Sequence, residues 1–156
     1  MESTTQIDRV TSMRLRLARE DLRSVGCALG SGVLIALGQS SCGLHETARV
    51  IDYLAEQSAH QCGPCTYGLR AVADSVASLA RGGARGERDQ VLRWCEDIRG
   101  RGACHHPDGA VRFVASAMSV FAEEIEWHRR NRCRARPAGM PLGQRSVRGA
   151  VAGGRR

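Results

Sequence analysis

Between residues 43 and 129 the apolar side chains recur at helical spacing, and glycines and prolines interrupt the pattern at short intervals. A 3.6-residue apolar repeat does not fit a strand, whose faces alternate every residue. This stretch must therefore bury helix faces against one another. Ser40 or Ser41 is placed to cap a helix over 43–58, with Leu44, Ala48, Ile51, Leu54 and Ala55 on one face. A second helix opens near Pro64, carries Leu69, Val72, Val76 and Leu79, and stops at Gly82-Gly83. A third covers 86–99 with Val91, Leu92, Cys95 and Ile98 inward, and ends at Gly100. A fourth starts at Pro107-Asp108 and runs to about residue 129, with Val111, Val114, Met118, Phe121 and Ile125 in one stripe. Four amphipathic helices with short connections predict a mainly α fold, a small up-down four-helix bundle.

The flanks are different. Met13 to Leu22 offers a short helix with an incomplete apolar face, and Val33 to Leu37 a short strand. Gly26, Gly30 and Gly32 between them do not form a dinucleotide fingerprint, because no strand precedes them. Nine arginines and no acidic residue follow Glu126. Removing those nine from the 23 basic residues leaves 14 against 16 acidic ones, so the formal charge of +7 belongs to the tail. The division predicted is an N-terminal segment over 1–40 with a short β-containing remnant, a helical bundle over 41–129, and a disordered Arg/Gly-rich tail over 130–156. A basic tail suits nucleic acid or another acidic partner, but no aromatic residue beyond Trp127 is present to stack on bases. The longest apolar run, Gly32 to Gly38, is too short to span a bilayer, so no membrane insertion is expected. The polar N-terminus has no secretory h-region, and a cytoplasmic location is expected.

Seven cysteines without an export signal argue against a disulfide framework. Cys95 reads as a core residue, and Cys27, Cys42 and Cys133 have no partner at ligand spacing. His45 and His128 carry no ligand signal either. Cys62-Gly63-Pro64-Cys65 is different, because a C-x-x-C turn at a helix start points two thiolates one way. It reads as a redox dithiol, a zinc half-site or an iron–sulfur half-site. In an up-down bundle the loop after the first helix and the loop before the last share one end. The first holds His60, Cys62 and Cys65, and the last holds Cys104, His105 and His106, so Cys104 is expected to approach the pair.

These residues carry a resemblance. Residues 57–68 fall on E-S-C-G-x-C-x-P-C-R-x-G, and Gly100 to Cys104 on a downstream G-R-x-x-C loop. Both are features of the C-terminal iron–sulfur region of the NADH-binding flavoprotein subunit of respiratory complex I and its hydrogenase and formate dehydrogenase relatives. Leu29 to Val33 is similar to the L-G-x-G-x segment that ends the family's β-grasp domain. The resemblance covers Leu22 to about Trp127 and implies a [4Fe–4S] cluster at one end of the bundle, fed by a flavin on an upstream domain. The family's leading cysteine falls on Ala59, so only Cys62, Cys65 and Cys104 carry over. His105 is a fourth candidate ligand, as is His60, while a [3Fe–4S] cluster needs only the three cysteines. The flavin domain lies outside this sequence, so neither FMN nor NAD is expected here, and NADH oxidation by the chain alone is not expected.

The function this implies is an electron-transfer module, an oxidoreductase component working with a flavoprotein or ferredoxin-like redox partner. The alternative is a zinc-stabilised Cys₃His binding module with the basic tail on an acidic partner or nucleic acid. Hydrolytic chemistry has no support, since the sequence holds no P-loop, nucleophile elbow or H-E-x-x-H.

Overall fold

A computed structural model describes residues 16–25, 27, 36–38, 40–133 and 135. Among the described residues six α-helices form: α1 (Arg19–Ser24), α2 (Gly43–Glu56), α3 (Leu69–Ala80), α4 (Glu87–Ile98), α5 (His106–Val120) and α6 (Ala122–Arg129). A π turn over Pro64–Gly68 leads into α3. Helix α2 packs on α3 and α5, and α4 packs on α3 and α5, so four helices close a ring. Short connections make successive helices antiparallel. The bundle is the one the apolar period predicts. No β-strand occurs among the described residues, and no helix there is long and apolar enough to cross a membrane. Most of the predicted strand over Val33–Leu37 and most of the predicted disordered tail lie outside the described residues.

The predicted stripes are the core. Leu44 and Ile51 from α2 meet Leu69, Val72, Val76 and Leu79 from α3, with Val91 and Cys95 from α4 and Val111, Val114 and Met118 from α5, all buried. Each large aliphatic side chain contributes roughly 1.5–3 kcal/mol by leaving water. Helix α3 ends in a Schellman turn: Gly82 N–H donates to the Leu79 carbonyl and Gly83 N–H to that of Ser78. Gly82 sits at φ 114°, a conformation that requires glycine.

Two expectations change. The cap of α2 is neither Ser40 nor Ser41 but Cys42, whose Sγ accepts from His45 N–H at 3.4 Å. At the first position of the helix the Phe121 ring lies directly against Gly43, where a Cβ would overlap it. The predicted fourth helix is also two. At Phe121 (φ −100°, ψ 26°) the chain bends between α5 and α6. The apolar stripe is preserved through Ile125, but the bend seats Phe121 on Gly43 and turns α6 across α3 and α2.

Candidate metal centre

After α2 the chain must reverse. Ser58 Oγ donates to the Ala55 carbonyl at 2.9 Å, and His60 takes a left-handed φ of 52°. Thr66 Oγ1 holds the His60 carbonyl at 3.2 Å, which fastens this turn to the start of the next element. Pro64 opens the π turn, where Leu69 N–H reaches back to the Pro64 carbonyl. The widened turn carries Cys65, which is 3% exposed, while Cys62 stands half-buried just before it. Widened turns of this kind recur at functional sites. Gly68 within it lies so close to Ile98 of α4 that a Cβ there would come within 2.8 Å of that side chain.

The loop between α4 and α5 is held at both ends. Gly100 has φ 71° and donates its N–H to Asp108 Oδ1 at 2.8 Å. A Cβ on Gly102 would lie 2.8 Å from the Cys104 carbonyl oxygen and 2.9 Å from Pro107 Cγ, so glycine is needed for the loop to fold this tightly. His106 Nε2 donates to the Leu54 carbonyl at 2.9 Å, docking the loop on the last turns of α2.

The two loops therefore meet, and their electrostatics show it. Backbone N–H groups of Ala103, from the opposite loop, and of Cys65 hold the Cys62 thiol below its ordinary pKa. Burial pushes Cys65 up, the Cys62 thiol adds to that, and Cys104 is near enough for its charge to push further. Three sulfurs from two loops, with N–H donors aimed at one of them, suit a soft metal centre of iron–sulfur type. Ala59 is exposed, and its methyl side chain offers no ligand atom. His60 keeps its ring near Ser58 Oγ, at 3.4 and 3.5 Å from its two nitrogens. His105 is fully exposed, with Nδ1 3.7 Å from Asp108 Oδ2.

A second gathering was missed from sequence. The ligand atoms of Cys42, His128 and Cys133 lie within 4.8 Å of one another. The available signal was two short spacings, Cys42-x-x-His45 and His128-x₄-Cys133. Neither is informative until α6 is known to fold back.

The chain is similar to proteins of a known family. Residues 45–128 match the family described as NADH-ubiquinone oxidoreductase-F iron-sulfur binding region. The corresponding NADH-quinone oxidoreductase subunit of Rickettsia akari is 30% identical over 108 residues, covering 69% of this chain and 26% of the relative. That of Rhizobium meliloti is 27% identical over 110 residues, 70% of this chain and 26% of the relative. That of Streptomyces coelicolor is 26% identical over 110 residues, 70% and 24% respectively. The chain spans about a quarter of the length of these curated relatives.

Proposed function

The chain belongs to the NADH-ubiquinone oxidoreductase-F iron–sulfur-binding family, and from that premise we propose that it is an electron-transfer module whose cluster is held by Cys62, Cys65 and Cys104. The observation that carries the reading is the meeting of the two loops, in which Ala103 N–H acts on Cys62 and Cys104 acts on Cys65. When bound, the cluster supplies one-electron redox chemistry at near-fixed geometry.

The residues of the chain set the conditions for it. The N–H groups of Ala103 and Cys65 stabilise a thiolate at Cys62, which favours metal binding and tunes the potential. Cys65, buried at the base of the π turn, keeps water from one side of the centre. Gly102, Asp108 and His106 fix the loop that delivers Cys104. For the fourth position we name His105. It follows Cys104 directly, and its Nδ1 lies 3.7 Å from Asp108 Oδ2, a carboxylate that would orient the ring once Nε2 holds a metal. The partner would be a flavoprotein or ferredoxin-like protein that exchanges electrons with this end of the bundle, and the location cytoplasmic.

Anaerobic purification with a visible spectrum and iron and sulfide analysis tests this. A brown protein with stoichiometric sulfide, losing its absorption in Cys65→Ser, is expected. A colourless parent, or absorption that survives in Cys65→Ser, would sink the assignment. Electron paramagnetic resonance of His105→Ala against the parent then tests the fourth ligand, which requires an altered signal.

A further inference from the structure

We infer that Cys42, His128 and Cys133 form a second, separate metal site, one that takes a tetrahedral divalent ion of the zinc class. It stands at the opposite end of α2 from Cys62 and Cys65. The 14 residues of that helix separate the two by roughly 21 Å at 1.5 Å per residue. No ligand can serve both.

Local structure brings the three together. Cys42 is the cap of α2, wholly buried, with its Sγ held at the first turn of that helix by the His45 N–H. His128 reaches it because the bend at Phe121 carries α6 back over α3 and α2. The Cys42 Sγ to His128 Nε2 distance is 3.1 Å. Cys133 returns by a second Schellman turn. Asn131, at φ 51°, donates its N–H to the His128 carbonyl, and Arg132 N–H donates to that of Trp127. Asparagine is among the few side chains that tolerate this left-handed conformation.

The donor set and spacing suit zinc. Ion-to-ligand lengths of about 2.3 Å to sulfur and 2.0–2.1 Å to nitrogen put neighbouring donors roughly 3.5–3.8 Å apart. The observed 3.1 Å contact and the 4.8 Å envelope of all three bracket that separation. His45 contributes twice. Its backbone N–H donates to Cys42 Sγ, and its ring meets that of His128 edge-on at 5.3 Å between centroids. A cleft of about 380 Å³, lined by His45, Arg81, His128, Asn131 and Cys133, opens beside two of the three ligands.

The test uses the full chain, purified anaerobically, with zinc as the probe. One zinc per chain is expected by dialysis and metal analysis, beyond the cluster iron. Zinc-edge X-ray absorption is expected to show two sulfur ligands. Cys133→Ser and His128→Ala should each weaken zinc binding by more than about 10-fold, while the visible absorption and helical circular dichroism are retained. Cys65→Ser should lose the absorption and keep the zinc, so failure of one site is distinguishable from failure of the other. Unchanged zinc affinity in Cys133→Ser overturns the site. So does a parent that takes no zinc, or a Cys42–Cys133 disulfide in a non-reduced peptide map.

Discussion

Glu124 lies on α6 with Oε2 buried and without a hydrogen-bond partner among the described residues. Burial first, and the neighbouring Glu123 second, push its carboxyl above the usual range. A charge in that place destabilises the folded state at neutral pH. Glu124→Gln is expected to stabilise the protein by about 1 kcal/mol near pH 7, read from denaturant unfolding. The sign follows from which state takes up the proton first. As pH falls, the folded wild type is protonated before the unfolded chain, so its penalty is relieved. The advantage of the variant should therefore shrink on acidification through the raised folded value. A constant advantage from pH 7 to pH 4 would show that ionisation is not its cause. The two C-x-x-C thiols illustrate the same physics at closer range. Three residues apart, Cys62 is held down by N–H donors and Cys65 pushed up by burial. Sequence shows both as cysteines in one motif and cannot show this difference, because the decisive N–H of Ala103 comes from another loop.

At the scale of elements, the joint between α5 and α6 is the informative one. Phe121 belongs to the apolar stripe of α5, and the stripe reads as one continuous helix. Periodicity counts which positions are buried and is blind to a single residue leaving helical φ and ψ. What makes the bend favourable is Gly43, whose missing side chain makes room for the Phe121 ring. Gly43→Ala should cost about 1–3 kcal/mol through overpacking. Combining it with Phe121→Leu should recover part of that loss, a coupling measurable by a double-mutant cycle. Strict additivity would mean the two do not share this contact. By contrast Leu69, where the π turn passes into α3, was legible as core from its spacing alone and is wholly buried. Leu69→Ala is expected to cost about 2–5 kcal/mol, and a cost under 1 kcal/mol would contradict its placement.

For the whole molecule, cysteine sulfurs stand at both ends of the bundle. Cys62, Cys65 and Cys104 stand on loops at one end, and Cys42, His128 and Cys133 gather at the other. The apolar stripes, the Gly82-Gly83 stop, the helix start at Pro64 and the C-x-x-C turn are local properties of the chain. Each is set by backbone preference or by the period of burial, so the sequence alone determined four amphipathic segments and three of the sulfur ligands proposed for the cluster. The up-down order also put Cys104 on the loop that meets the C-x-x-C turn, because short connections leave few ways to stack such helices. What only the tertiary structure decided is direction and company. Burial patterns say that a face is covered without saying by what, so the return of α6 over α2, the replacement of a serine cap by Cys42, and the convergence of His128 and Cys133 on it were all unreadable. The return of α6 and the convergence depend on residues far apart in the chain meeting in space, 86 positions apart for Cys42 and His128, and that meeting is fixed by the fit of one aromatic ring against one glycine.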